Sequence, residues 1–211
     1  MRALTAVLLC LLAGVQLAAQ QPQTLVIHTN AGDIEAELLP DVAPLFVRRL
    51  ETLIEVGAFR DSVRLHFDPG YYLVIEPAHY PPGFRNPVGN EIDAADLGLE
   101  TQTVRRSWQT GLLPSNDARQ NGSVAALLRS LGYRFDSSLH SLPHSFGMLS
   151  TYNEGPGGNF GGFFIVLSPG PAPWLDGRYT VFGRVNKGES LLRAWAAPGA
   201  GIPKVRSISL R

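Results

Sequence analysis

Short strand-like runs recur from Thr24 to Leu210, most of them closed by glycine, proline or asparagine. This punctuation constrains the fold more than any other feature of the chain. TLVIHT and DIEAELL alternate apolar and polar residues, and Asn30-Ala31-Gly32 between them has turn chemistry, so the two form a hairpin. VRLHFDPGYYLVIEP, Val63 to Pro77, reads as two more strands joined at Pro69-Gly70. After Phe146 come GMLST, GFFIVLS, YTVFGRV and VRSISL. Two segments have helical spacing instead. Pro40 and Pro44 stop the second strand and start a helix with Leu45, Phe46, Leu50, Leu53 and Ile54 on one face, and Gly57 ends it. Glu189 to Trp195 suits a last helix. Many short strands, two amphipathic helices and frequent turns predict a mainly β fold, a closed barrel with helices on its ends.

Residues from about 79 to 145 break this rhythm. They open with the loop-like HYPPGFRNPVGN. Helices are predicted over Asp93 to Trp108 and Ser123 to Leu131, with the polar GLLPSNDARQNG between them. The segment reads as a partly helical insertion within one domain of residues 20–211. Residues 1–19 read differently: one basic residue, an apolar run, then Ala18-Ala19. That is the pattern of a cleaved secretory signal peptide, favoured over an uncleaved membrane anchor because the run is short and QPQ follows, and it predicts a periplasmic or secreted protein with no membrane span after cleavage. Cys10, the only cysteine, lies inside this leader. Removing it leaves no disulfide, thiolate nucleophile or cysteine metal site. Net charge is zero and the charges are scattered, which excludes nucleic acid as the main partner. The sequence specifies no oligomeric state.

Gly147 to Val185 contains Leu149-Ser150, Gly155-Pro156, Phe163-Phe164-Ile165, Trp174-Leu175-Asp176-Gly177 and Val181-Phe182-Gly183. In order and near-spacing this resembles the cyclophilins, the cyclophilin-type peptidyl-prolyl isomerases. NAGDIEAELLPDVAP is similar to the family's first hairpin and helix start. The Val63–Pro77 stretch aligns without a gap to its F-H-R-V-I-P-G-F-M-I-Q-G. The resemblance covers residues 24–78 and 146–210. It implies an eight-stranded barrel capped by two helices, a site on the barrel's outside, and isomerisation of X-Pro bonds in polypeptides without cofactor or metal.

That reaction twists an amide over a barrier of about 18–20 kcal/mol. A catalyst must favour the twisted amide over either planar form. A dry apolar pocket for the proline ring and a donor aimed at the prolyl nitrogen suffice in principle. The family's donor is the arginine of F-H-R, and the matching residue here is His66. Arg64 stands two residues earlier on the same strand face, with Leu65 between. The resemblance places Tyr71, Tyr72, Phe164, Trp174 and Leu175 in the proline pocket, with Val74, Tyr152 and Tyr179 at further contact positions. Asn153 falls at a kept substrate-binding asparagine. The family's two glutamines fall on Val74 and Gly162, and a glycine falls on Glu76. Apolar walls are kept while most polar anchors are lost. An isomerase with weakened catalysis is expected, and a non-catalytic module that binds proline segments is the alternative. A purely structural role would follow if Trp108 or Tyr133 packed into the pocket.

Other candidates read as ordinary features. His140 and His144 have i, i+4 spacing, but Pro143 interrupts a zinc helix. Asp33, Glu35 and Glu37 alternate as on a solvated strand face. Ser150 and Ser168 have no His/Asp arrangement visible in the sequence, so hydrolysis is not expected.

Overall fold

The computed structural model describes residues 23–60, 62–84, 86–104, 122–153 and 155–211. The proposed leader lies outside them, as do Trp108 and most of the 111–122 loop.

Eight strands form one antiparallel sheet: β1 (Thr24–Thr29), β2 (Gly32–Leu38), β3 (Val63–Asp68), β4 (Tyr72–Pro77), β5 (Met148–Thr151), β6 (Phe163–Val166), β7 (Val181–Lys187) and β8 (Val205–Leu210). Their order is β3-β4-β6-β5-β7-β2-β1-β8. The sheet curls until its first and last strands approach each other. No ladder joins them, and the Ile208 N–H reaches Phe59 O at 3.4 Å, so the expected closed barrel is nearly closed. Inward residues of alternate register fill the lumen: Leu25, Ile27, Ile34, Ala36, Leu38, Leu73, Ile75, Leu149, Phe163, Ile165 and Phe182. Each fully buried large side chain of this kind contributes roughly 1.5–3 kcal/mol against exposure.

Two helices pack on this core. α1 (Pro44–Glu55) starts at a proline, whose fixed φ suits the first turn, and buries Phe46, Val47, Leu50 and Leu53. Its buried stripe differs slightly from the expected one: Leu45 is 57% exposed and Val47 takes the inner place. Gly57, at φ +81°, turns the chain away. The Glu189 helix, α3 (Glu189–Ala196), buries Leu192 and Trp195.

Between β4 and β5 lies a second, smaller apolar cluster: Ala94, Leu99, Val104, Val124, Ala125, Leu127 and Leu128. Its helix, α2 (Val124–Ser130), is capped by the Ser123 hydroxyl, which accepts the Ala126 N–H at 3.1 Å. The helix expected from Asp93 does not form across the described residues. Residues 94–102 run in successive turns, and Gly98 at φ +67° cannot continue a right-handed helix. Tyr133 belongs to this cluster and does not fill the pocket on the barrel. The segment is fastened to the barrel by Glu91, whose carboxylate accepts the N–H groups of Leu45 and Phe46 at 2.7 and 2.8 Å. Those are orphan donors at the start of α1, where the N-cap Ala43 has no side chain to offer.

Candidate functional site

The pairing of β3, β4, β6 and β5 builds the site as rows of side chains on the sheet's outer face. His66 pairs with Val74, Val74 with Phe164, and Phe164 with Ser150. One step along, Asp68 pairs with Tyr72 and Tyr72 with Val166. One step the other way, Arg64 pairs with Glu76, while the Tyr152 N–H reaches Gly162 O at 2.9 Å. Residues between these rows point into the lumen, so the outer face is a separate surface.

Residues 168–180 fold back over this face. Ala172 and Leu175 join Val74, Phe164 and Val166 in an outer apolar cluster, with Tyr72, Met148, Tyr152, Trp174 and Tyr179 packed against it. Tyr72, Val74, Tyr152, Phe164, Leu175 and Tyr179 enclose a hollow of about 50 Å³. Phe164 is its centre: Tyr179 meets that ring edge-on at 5.2 Å, and Tyr72 is tilted against it at 5.9 Å. Tyr71, 53% exposed, meets Trp174 edge-on at 6.4 Å beside the hollow. Two roomier clefts, about 160 Å³ beside α1 and about 370 Å³ beside α3, are not walled by converging aromatic rings. An apolar hollow with a few polar groups is the usual form of a small-ligand site.

The two basic candidates differ in place. His66 is exposed on β3, with its ring 6.0 Å from that of Tyr72. Arg64 lies further along, its Nη2 3.5 Å from Glu76 Oε1. Neither lines the hollow. Glu76 also receives the Tyr80 hydroxyl at 3.4 Å. Burial, with the Glu76 charge adding to it, holds that phenol far above its usual range. Gly162 makes this arrangement possible. A Cβ there would meet Glu76 Cγ at 2.8 Å, so the space of a side chain at 162 is filled by the side chain at 76.

Asn153 is 6% exposed and tied to the β4–β5 segment. Its Nδ2 donates to Asn90 Oδ1 at 3.1 Å, and Asn90 Nδ2 donates to the Arg178 carbonyl at 3.3 Å. A carbonyl can only accept, which fixes the orientation of both amides. Asn153 Oδ1 is then left buried without a partner among the described residues.

Behind Phe164 stands a buried polar chain that has no pattern in the sequence. His144 Nδ1 lies 2.6 Å from Asp176 Oδ1, and the His144 backbone N–H donates to the same oxygen at 2.9 Å. His144 Nε2 lies 2.7 Å from Ser150 Oγ. So Ser150 does have a His/Asp arrangement, contrary to expectation. It is nevertheless no nucleophile: it is fully buried, and its hydroxyl donates to the Thr180 carbonyl at 3.0 Å. The His144 ring stacks on Phe164 at 6.2 Å and 16°, so the chain supports the hollow's central ring from behind. It also ties down Asp176, the residue after Leu175. The sequence signal lay in W-L-D-G, whose aspartate must bond to something, but nothing local names His144 as the partner. His140, the other half of the i, i+4 pair, is exposed and lies 3.4 Å from Asp96. Among the described residues no group of three or more His, Cys, Asp or Glu side chains could hold a metal ion.

An antiparallel barrel with an aromatic hollow on its outer wall defines a class of protein, and comparison with known proteins agrees. The profile of the family described as cyclophilin type peptidyl-prolyl cis-trans isomerase/CLD matches residues 24–206. The chain belongs to that family. It is 44% identical over 170 residues to the Aspergillus fumigatus peptidyl-prolyl cis-trans isomerase-like 1, covering 80% of this chain and 78% of that protein. It is 47% identical over 102 residues to the Neurospora crassa protein of the same name, where the match covers 47% of this chain and only 60% of the relative. The fold is similar to that of a Cryptosporidium parvum cyclophilin type peptidyl-prolyl cis-trans isomerase crystallised in the presence of the dipeptide Ala-Pro. The TM-score is 0.55 at 16% identity, covering 89% of this chain and 98% of that one.

Proposed function

We propose that this chain is an exported peptidyl-prolyl cis-trans isomerase with weakened catalysis. The observation that carries the reading is the hollow around Phe164, an apolar aromatic-walled recess on the outer face of β4 and β6. A proline ring seated there would leave water, which otherwise stabilises the polar planar amide. Tyr71 and Trp174 flank the seat, and Asn153 would hold the substrate backbone. His66 occupies the position of the family's donor, on the row that leads through Val74 to Phe164. An imidazole offers one N–H when neutral and two when protonated, against the five of a guanidinium. That is the source of the weaker catalysis. Arg64 does not replace the lost donor, because it lies one row away beside Glu76.

The leader-like residues 1–19 support export and therefore polypeptide substrates outside the cytoplasm. A second reading, a proline-binding module without catalysis, is favoured by one observation: neither basic side chain lines the hollow. The test is refolding of an exported protein whose slow phase is limited by prolyl isomerisation. Shortening of that phase by sub-stoichiometric protein supports the isomerase. Binding of the unfolded client with an unchanged slow phase would instead establish the module.

A further inference from the structure

The hollow holds a donor that the resemblance does not supply. Three of its six lining residues are tyrosines, Tyr72, Tyr152 and Tyr179, and the other three are Val74, Phe164 and Leu175. At position 72 the resemblance implies a methionine, which has no hydrogen to donate. The Tyr72 hydroxyl has no hydrogen-bond partner among the described residues, and it is not among the buried unpaired atoms, so it remains within reach of a ligand. Tyr72 also lies between His66 and the centre of the hollow: its ring is 6.0 Å from the imidazole and 5.9 Å from Phe164. A proline ring resting on Phe164 therefore meets Tyr72 before it meets His66.

We propose that the Tyr72 hydroxyl is a further catalytic group, donating a hydrogen bond to the prolyl nitrogen as the amide twists. The inference rests on the isomerase reading. No covalent bond forms or breaks. The nitrogen lone pair is tied up in amide resonance in the planar forms and becomes an acceptor only near the twisted state, so the bond strengthens where catalysis needs it. Charged and titratable groups face Tyr72 from the elements around it: Asp68 and His66 from β3, and Tyr179 from the segment after Leu175. Burial raises the Tyr72 phenol above its usual value, and Asp68 and Tyr179 push the same way. The hydroxyl accordingly keeps its hydrogen throughout the range in which a histidine titrates.

The experiment is two-dimensional NMR exchange between the cis and trans forms of an Ala-Pro peptide, with wild type, Tyr72→Phe and His66→Ala. It is run from about pH 5 to pH 8, the window in which histidine changes charge. Tyr72→Phe should lose roughly tenfold or more of the acceleration, up to the hundredfold or so at which removal of one transition-state donor begins to be felt elsewhere. Peptide affinity should stay within about threefold, because the ring and its contacts remain. The part of the acceleration that Tyr72→Phe removes should be nearly flat with pH. A fluorotyrosine at position 72, whose more acidic phenol ionises sooner, should lose acceleration at a lower pH than wild type when the series is carried on to about pH 11, past the usual tyrosine value of about 10. This second variant decides the matter if Tyr72→Phe folds poorly. Acceleration that survives in Tyr72→Phe, is lost in His66→Ala and climbs on acidification would overturn the role of Tyr72 and leave the isomerase standing. Peptide binding by wild type without any acceleration would overturn both.

Discussion

Gly162→Ala offers a quantitative check on the outer face, because the departures at positions 76 and 162 are read as compensating each other. A Cβ at 162 would lie 2.8 Å from Glu76 Cγ, 3.3 Å from Glu76 Oε1 and 3.4 Å from the Tyr80 hydroxyl. The nearest atom is close to the Glu76 backbone and is not a free end, so the whole side chain must swing. Swinging it disturbs its contacts with Tyr80 and Arg64. Overpacking of this kind costs about 1–3 kcal/mol. Gly162 has no left-handed φ, so the backbone adds no strain. Replacing glycine also restricts the unfolded chain, which returns about 0.4–1 kcal/mol. The net expectation is a loss of about 0–2.6 kcal/mol. In a Glu76→Ala background the obstructing Cγ is gone, and Gly162→Ala should be neutral or slightly stabilising. Urea unfolding of the four proteins of this cycle gives the coupling directly. The chain-entropy part cancels in the cycle, so a coupling of about 1–3 kcal/mol is expected, and effects that add to within about 0.5 kcal/mol would refute the compensation.

Other outcomes follow from the same contacts. Glu91→Gln sets an amide N–H₂ against one of the two α1 N–H donors and should cost about 1–3 kcal/mol in urea unfolding, while an unchanged midpoint would show that α1 does not depend on this cap. Burial raises the Glu91 carboxyl above 4.5, offset in part by the Leu45 and Phe46 N–H groups. The folded state therefore binds this proton more readily than the unfolded state, and between 4.5 and the raised value the Glu91 contribution falls as pH rises. Stability curves of wild type minus Glu91→Gln should show that slope, and the opposite slope would contradict it. Asp176→Asn replaces the carboxylate that meets both the His144 ring and its backbone N–H with a weaker amide acceptor, and should cost about 1–3 kcal/mol. Its thermal melt should fall and its affinity for an Ala-Pro peptide should weaken with it, since Leu175 loses its anchor. Gly177→Ala would place a Cβ 2.6 Å from Leu99 and Leu128 at φ +78°, so a drop of about 2–4 kcal/mol is expected in urea unfolding. An unchanged midpoint would mean that the β4–β5 segment does not dock on this turn.

The strands and both barrel helices were legible because their signals are local. Asn30-Ala31-Gly32 and Pro69-Gly70 each turn the chain where a two-residue period on either side requires it. At α1 the period located the helix, but neighbouring Leu45 and Val47 compete for the edge of the stripe, and packing against the barrel decides for Val47. Over 94–102 a helix was expected, yet Gly98 takes a left-handed φ and a small separate core takes up Leu97 and Leu99 in turns. Within the site, Tyr72, Val74, Tyr152, Phe164, Leu175 and Tyr179 could be named from aligned positions; the pairing of β4, β5 and β6 and the fold-back of residues 168–180 gather them around one hollow. The hydrogen-bonded contacts behind it could not be read in the same way. His144 and Asp176 are 32 residues apart, and Asn90 and Asn153 are 63 apart. Each pair is joined by loop geometry, which leaves no periodic mark. The exchange of bulk between Glu76 and Gly162 was visible as two separate departures, and only the register of the sheet shows that they face each other.

Under the isomerase reading, the hollow around Phe164 turns prolyl bonds over. Exchange spectroscopy on an Ala-Pro peptide with a catalytic amount of this protein tests it most directly. The uncatalysed bond takes tens to hundreds of seconds to flip. Cis–trans cross-peaks that build up in well under a second, together with contacts between the proline ring and the Phe164 and Tyr179 rings, are the expected result. Proline-ring contacts at those residues with no cross-peaks at any mixing time would contradict catalysis, and cross-peaks without those contacts would place the site elsewhere.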